Sequence, residues 1–323
     1  MTCRPGPARR LPGRDGDHRR TGRTLSVVRE SAPEPEVEIS HELVRRLVRA
    51  QFPDLADLPL GEQVEGWDNV TTRLGPELAV RMTRRAAAVE LADREIDWLP
   101  RMSPGWTFPA PVPLRVGAPG HGYPWRWSIV PWFEGEEAVV APLGPAGARD
   151  FGAALREIHV TPPEDAPVNP YRSVPLASRT TVFRERLARL DAIARSEGRA
   201  LDADGIEHEW RRAERQPRDL GVRWIHADLH GRNVLSRDGR LAAILDWGDA
   251  AGGDPARDLG QVWLLLDIED ISAAFAAYGG ISRATEIRCR GEALYSAVTL
   301  GILDEPAHAP AAWATLVTMG FAE

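Results

Sequence analysis

The sequence predicts an α+β fold with two lobes: a small antiparallel sheet with few helices, then a larger helical region. Short strand-like runs occupy residues 63–130, whereas helical apolar spacing dominates from residue 148 onward. Within the helical region, residues 222–249 stand apart as a short strand and a hairpin rich in His, Asp and Asn. We expect a first lobe over residues 38–132 and a second lobe over residues 133–323.

The composition is that of a soluble globular protein, with 43% hydrophobic and 27% charged residues in a chain of 323. No apolar run is long enough to span a membrane, so we expect no membrane partner. The two cysteines, Cys3 and Cys289, form neither a disulfide framework nor a metal-site spacing. This usage favours a reducing, cytoplasmic compartment.

The net charge of −7 is unevenly distributed. Residues 1–29 carry eight Arg and two Asp among many Pro and Gly, and residues 1–37 are predicted to be a disordered extension. Nucleic-acid binding by this tail is an alternative, but we expect no nucleic-acid partner. Residues 134–323 carry 21 Arg against 30 acidic residues. That excess favours a cationic small-molecule partner, although surface solvation accounts for it equally well.

The first lobe begins with a helix and continues as strands. Ser40 is placed to cap a helix that runs to about Phe52, with apolar residues along one face. Strands are predicted at residues 63–65, 70–74 and 78–82, followed by a helix over residues 86–102. Two further strands are predicted at residues 112–116 and 125–130, and the chain is expected to leave the sheet at Pro131.

Helical spacing returns in the second lobe at residues 148–160, 180–196 and about 207–215. His159 is expected to be a packed, hydrogen-bonded histidine and not a catalyst. Asp254 is placed to cap a helix that Pro255 begins, since proline is favoured at the first helical position. From residue 259 to the end, the pattern indicates helices separated by glycines.

Asp238 and Gly239 lie between two apolar runs and predict a two-residue hairpin turn. The implied register pairs Arg237 with Arg240, Ser236 with Leu241, Leu235 with Ala242, Val234 with Ala243, and Asn233 with Ile244. Asn233 then lies diagonally across from Asp246, roughly 7–8 Å away. One metal ion can bridge that span.

Asp228 lies on the loop between a short strand, which ends at His226, and this hairpin. A loop carboxylate beside an Asn and an Asp that share a cation suits phosphoryl transfer to a hydroxyl. The loop Asp orients the hydroxyl, while the other two oxygens hold magnesium on the phosphates. The spacing His-x-Asp-x-x-x-x-Asn, with Asp246 further on, matches the template of kinases.

Residues 226–235 and 244–249 resemble the aminoglycoside phosphotransferase family, which reads Asp-Trp-Gly where protein kinases read Asp-Phe-Gly. The resemblance extends over residues 40–323 and implies a protein-kinase-like fold. It implies ATP or GTP as co-substrate, Mg²⁺ as cofactor, and a small-molecule hydroxyl acceptor such as an aminoglycoside, a macrolide or a hydroxylated metabolite. The roles it implies are catalysis for Asp228, magnesium binding for Asn233 and Asp246, and support of the catalytic loop for His226 and Asp258.

Further nucleotide contacts are implied in the first lobe. Residues 66–69, Gly-Trp-Asp-Asn, resemble the loop with which the family covers the nucleotide, which makes Gly66 and Asn69 candidate contacts. Residues 131–135 resemble the segment that presents main-chain groups to adenine. The backbone at Pro131 and Phe133 is therefore the predicted base contact.

The chain has no Lys, and all 40 basic residues are Arg. The lysine that kinases set against the ATP phosphates must therefore be replaced or absent. Residues 78–82 resemble the strand that carries it, with Arg81 in its place, and Arg keeps the charge on a planar fork. Glu90 and Glu95 lie about 140° apart around one helix, so only one of them can face Arg81. Residues 95–100 resemble the family's Glu before an apolar helix end, and the resemblance therefore implies Glu95 as the partner of Arg81.

Two other functions remain open. His226, Asp228 and His230 alternate, so on a strand they would share one face and could bind zinc or iron in a metallohydrolase. That arrangement leaves Asn233 and Asp246 unused. The missing lysine also permits a pseudokinase that binds a nucleotide or a partner without chemistry. The favoured function is ATP- or GTP-dependent phosphorylation of a small-molecule hydroxyl.

Overall fold

The computed structural model describes residues 34–303 and 308–323 and confirms the predicted α+β class. The first lobe contains one antiparallel sheet of five strands in the order β1-β2-β3-β5-β4. These strands are β1 Leu60–Glu65, β2 Asn69–Leu74, β3 Leu78–Thr83, β4 Arg115–Gly117 and β5 Trp127–Pro131.

Most of the predicted N-terminal extension lies outside the described residues. Of its last four residues, which are described, Glu36 and Val37 both donate backbone hydrogen bonds to the carbonyl of Arg84, at 2.9 and 3.2 Å. This end of the extension is therefore hydrogen-bonded to the residue that follows β3.

Two strand boundaries differ from the prediction because of proline. The strand expected over residues 112–116 begins only at Arg115, since Pro111 and Pro113 cannot donate to a sheet ladder. We expected the chain to leave the sheet at Pro131. Instead, Pro131 is the last residue of β5 and pairs with Leu78.

Two helices complete the first lobe, α1 His41–Gln51 and α2 Val89–Met102. Ser40 caps α1 as predicted, and its hydroxyl accepts a hydrogen bond from the amide of Leu43 at 3.3 Å. The apolar face of α1 packs against the sheet to form a core of its own, which includes Val44, Leu47, Val80 and Ile129. Burying these side chains is the main source of stability in this lobe.

The second lobe is helical. Its helices are α3 Pro145–Ile158, α4 Thr180–Glu197, α5 Ala203–Glu214, α6 Ala256–Leu259, α7 Val262–Leu265, α8 Ile271–Tyr278, α9 Arg283–Gly301 and α10 His308–Thr318. Helix α9 is buried along most of its length and packs against five other helices, α4, α5, α6, α7 and α10. Leu99, Met102 and Ala110 join this second core although they precede the predicted boundary at residue 132.

Two small sheets carry the polar region. β7 Arg223–Ile225 pairs with β10 Ala251–Gly253, and β8 Val234–Arg237 lies between β6 Glu136–Glu137 and β9 Arg240–Ile244. Asp238 and Gly239 form the predicted turn, with φ of 52° and 71°.

The predicted hairpin register is correct only next to the turn. Arg237 pairs with Arg240 and Ser236 with Leu241, but a β-bulge at Ala242 then shifts the ladder by one residue. The observed pairs beyond the bulge are Leu235 with Ala243 and Val234 with Ile244. The expected pairs of Leu235 with Ala242, Val234 with Ala243 and Asn233 with Ile244 are therefore wrong.

The bulge brings Asn233 nearer to Asp246 along the hairpin. The carbonyl of Asn233 accepts a hydrogen bond from the amide of Leu245 at 2.8 Å, so Asn233 lies opposite the immediate neighbour of Asp246.

Among the described helices, none is long and apolar enough to cross a lipid bilayer.

Candidate active site

The loop that follows β7 is held by Asp258 of helix α6. One carboxylate oxygen of Asp258 accepts from the amide of His226 at 2.6 Å, and the other accepts from the amide of Ala227 at 2.8 Å. Burial opposes ionisation of Asp258, but hydrogen bonding from His159 and these amides keeps its pKa below the usual value. His159 is packed and hydrogen-bonded as expected, between Asp258 and the hydroxyl of Tyr278.

Two non-glycine residues beside this loop adopt left-handed backbone conformations. Ala227 has φ of 72° and Asp246 has φ of 61°. Such conformations cost of order 1–3 kcal/mol, and they persist where surrounding bonds hold the backbone in place. At Ala227 the amide is held by Asp258 and the carbonyl by Arg257, whose Nε donates at 3.0 Å.

Hydrogen bonds link Asn233 both to Asp228 and to Leu245, the neighbour of Asp246. The Asn233 side-chain amide donates to the carbonyl of Asp228 at 2.9 Å, which leaves its oxygen as the group to face a cation. His226 links the loop of Asp228 to the end of the hairpin, because its Nε2 lies 2.8 Å from the carbonyl of Leu245. The loops on either side of the hairpin are thereby fixed to each other.

The histidines of the zinc or iron alternative are engaged in other contacts. His226 uses Nε2 on Leu245, and its Nδ1 accepts from the amide of Asp228 at 3.2 Å. Burial lowers the pKa of His230 to about 4, so its ring is neutral near pH 7. Its nitrogens contact the amide of Arg232 and the side-chain amide of Asn233, each at 3.3 Å. All four ring nitrogens of His226 and His230 have other partners, and the described residues contain no group of three or more His, Cys, Asp or Glu side chains placed to hold a metal ion, which disfavours the metallohydrolase.

Arg81 of β3 joins the two lobes at the site. Its Nε lies 2.9 Å from Glu95 Oε1, and its Nη2 lies 2.7 Å from Asp246 Oδ1. Glu95 is buried and also accepts from the amide of Trp247 at 3.0 Å. Burial lowers the pKa of Arg81, but the two carboxylates outweigh it and the pKa is raised. The predicted pairing with Glu95 is present, whereas Glu90 is exposed and pairs with Arg94.

The candidate nucleotide loop is a tight turn between β1 and β2. The amide of Gly66 donates to the carbonyl of Asn69 at 2.8 Å, and the Asn69 side chain accepts from the hydroxyl of Thr83 at 3.1 Å. Pro131 lies at the end of β5 and Phe133 lies just beyond it. Contact of any of these residues with a nucleotide stays a prediction.

Arg172, which the sequence did not single out, lies on the site. Its guanidinium pairs with Asp228, and its Nε lies 3.4 Å from Asp249 Oδ1. Burial of Asp228 opposes ionisation, but the attraction of Arg172, with smaller effects from His230 and Arg257, holds its pKa well below the usual value. No sequence periodicity relates Arg172 to Asp228 or Asp249. The sequence feature next to Arg172 is the Asn-Pro pair at residues 169–170, which indicates a turn but no contact with the site.

Residues 61–290 match the model of the phosphotransferase enzyme family, APH. This match covers well over half of the chain, and the protein belongs to that family. The resemblance inferred from residues 226–249 is thus confirmed.

Solved structures share the fold. The GDP complex of wild-type aminoglycoside 2'-phosphotransferase-IIIa superposes with a TM-score of 0.64 at 18% identity, covering 85% of this chain and 97% of the other. Macrolide 2'-phosphotransferase MphH from Brachybacterium faecium gives 0.57 at 21% identity, covering 85% and 97%. The streptomycin–ATP–APH(2")-IIa ternary complex gives 0.54 at 18% identity, covering 82% and 93%. A comparison with curated proteins gave no significant match. These similarities confirm the predicted two-lobed, kinase-like architecture.

Proposed function

We propose that this protein transfers the γ-phosphoryl group of ATP or GTP to a hydroxyl group of a small molecule. The observation that carries the proposal is that hydrogen bonds link the segments of Asp228, Asn233 and Asp246, while Arg81 reaches Asp246 from the other lobe. Structures with the same fold include complexes with GDP and with ATP and streptomycin, which supports a nucleotide and a hydroxylated acceptor.

Two residues of this group fit a magnesium ion by their chemistry. Magnesium prefers hard oxygen ligands, and Asn233 and Asp246 offer an amide oxygen and a carboxylate on adjacent loops. These two residues would hold the ion. When bound, magnesium neutralises charge on the transferred phosphate.

Asp228 is suited to orienting the acceptor hydroxyl. Its lowered pKa keeps the carboxylate ionised at neutral pH, so it can accept a hydrogen bond from the hydroxyl but is a weak base. Phosphoryl transfer passes through a loose transition state that needs positioning more than early proton removal. Asp228 therefore aligns the hydroxyl and takes its proton late. Arg81 keeps a positive charge beside Asp246, where the phosphates would lie.

The first test is the rise in melting temperature with magnesium-ATP and magnesium-GTP. A ligand at a hundred times its Kd adds about 2.7 kcal/mol of stability, which is several degrees for a chain of this size. Asp246→Asn should reduce the shift because it removes a cation ligand and the partner of Arg81. Asp238→Asn is the matched control, since that exposed turn carboxylate lies at the far end of the same hairpin and Asn tolerates its backbone.

ADP or GDP release with a panel of hydroxylated acceptors then tests the chemistry. Asp228→Asn should lower release by roughly 10²-fold or more while the nucleotide shift is retained. If neither nucleotide raises the melting temperature of the wild type, the proposal fails. A shift without nucleotide turnover by any acceptor would instead support a pseudokinase.

A further inference from the structure

The acidic site beside the proposed catalytic carboxylate already contains a cation that belongs to the chain. Arg172 pairs with both Asp228 and Asp249 and donates to the carbonyl of Ala227 at 3.3 Å. All three charged side chains are less than one-third exposed. The two carboxylates outweigh the effect of burial and raise the pKa of Arg172, so it stays charged.

A built turn fixes Arg172 in place. The side-chain oxygen of Asn169 accepts from the amides of Tyr171 and Arg172, each at 3.0 Å. The side-chain nitrogen of Asn169 donates to Asp249 Oδ1 at 2.6 Å, and Asn169 is only 3% exposed. Ser173 closes the turn through its hydroxyl, which accepts from the amide of Asn169 at 3.0 Å. Arg172 is therefore presented by a satisfied polar turn and not by a free side chain.

The positive charge of Arg172 changes which acceptors this part of the site can bind. A polycationic acceptor would gain its affinity from carboxylates, but Asp228 and Asp249 are already compensated by Arg172. A second cation at the same position would meet the like charge of the guanidinium. The excess of acidic residues over the whole second lobe therefore does not extend to this point.

We propose that Arg172 is a specificity-determining residue that excludes polycationic molecules, so that the acceptor is a hydroxyl compound without amino cations near the reacting group. This proposal rests on the proposed function, because it concerns the acceptor side of the same site. It replaces the sequence-based expectation of a cationic acceptor with a neutral or anionic one.

The test is calorimetric titration of the full-length protein with kanamycin, a polycation, and with fully N-acetylated kanamycin, which keeps the hydroxyls without the amino cations. Wild type should bind kanamycin no more tightly than the acetylated form. Arg172→Gln should bind kanamycin at least about tenfold more tightly than wild type does, because it frees two carboxylates. Affinity for the acetylated form should not change.

Two controls assign the effect to the site. Arg237→Gln removes an exposed arginine of β8 and should leave both titrations as in wild type. Asp228→Asn combined with Arg172→Gln should lose most of the gain in kanamycin affinity, since one of the freed carboxylates is gone.

Tight kanamycin binding by wild type, or no gain in Arg172→Gln, would overturn the proposal. The nucleotide melting shift is recorded on the same samples. If the wild type shows no nucleotide melting shift, the proposed phosphotransfer is contradicted. The kanamycin titrations test the role of Arg172 independently of that result.

Discussion

Arg81 and Glu95 form a largely buried ion pair at the site, with side chains 17% and 4% exposed. Arg81→Gln would leave Glu95 as a buried charge without its cation, which typically costs 3–5 kcal/mol, so we expect a loss of about that size in the free energy of unfolding. Arg81→Gln combined with Glu95→Gln should recover most of that loss, because the carboxylate that still lacks its cation, Asp246, is 44% exposed and not buried. Urea unfolding at neutral pH measures both, provided that the m value is unchanged.

Glu90→Gln provides the comparison on the same helix. Glu90 is 85% exposed in its pair with Arg94, so the change should stay within about 0.5 kcal/mol. If the losses from Arg81→Gln and Glu95→Gln simply add in the double variant, the pair is not coupled and the explanation is incorrect.

At the residue scale, the sequence predicted contacts that follow from local spacing and missed those that depend on tertiary folding. The helical repeat showed that only one of Glu90 and Glu95 can face Arg81, the resemblance of residues 95–100 to the family selected Glu95, and the structure contains that pairing. Arg172 and Asp228 are 56 residues apart and meet only because β10 and the loop after α3 fold against β7. No pattern in the sequence encodes that approach.

At the scale of single elements, helix α9 depends on a carboxylate outside it. Asp219 accepts hydrogen bonds from Ser282, which caps the helix, from Thr285 at 2.6 Å and from Arg288 at 3.1 Å. Burial opposes ionisation of Asp219, but these hydrogen bonds lower its pKa to about 2. Since the folded pKa lies below the unfolded value, the stabilisation is complete above about pH 4 and is lost as the pH falls toward 2.

Asp219→Asn should therefore reduce the free energy of unfolding by roughly 1 kcal/mol at neutral pH, a value discounted for partial exposure. The difference from wild type should shrink between about pH 4 and pH 2.5 in urea unfolding series. Asp204→Asn, an exposed carboxylate in the first turn of α5, is the comparison for loss of charge at a helix start. A difference from wild type that is constant over the whole pH range would contradict this account of Asp219.

The hairpin shows which features of a single element can be predicted from sequence and which cannot. The Asp-Gly turn fixed the first two pairs, because a two-residue turn leaves no other register. The bulge at Ala242 was missed, since it depends on packing with other segments and has no glycine or proline to mark it. As a result, Asn233 was placed correctly at the open end but one position too far from Asp246.

At the scale of the whole molecule, the two lobes meet where α2 contacts the loop after β9. A Cβ added at Gly248 would lie 2.9 Å from Leu91 Cβ and 3.0 Å from the Leu91 carbonyl, so the loop packs directly on the backbone of α2. The same interface includes the contacts from Arg81 to Asp246 and from Glu95 to Trp247. The position of α2 therefore controls the geometry of Asp246.

Gly248→Ala should separate α2 from this loop while each lobe remains folded. Because Asp246 and Arg81 would then be misaligned, we expect nucleotide affinity to fall by about tenfold, with a loss of roughly 1–3 kcal/mol in stability from overpacking. The melting shift across a nucleotide concentration series measures the affinity separately from the stability of the unliganded protein. Gly120→Ala is the control, because its nearest atoms, on Gln51 and Leu47, are 3.5 and 3.6 Å away in ordinary contact. Equal nucleotide affinity in Gly248→Ala and wild type would show that the site does not depend on this contact between the lobes.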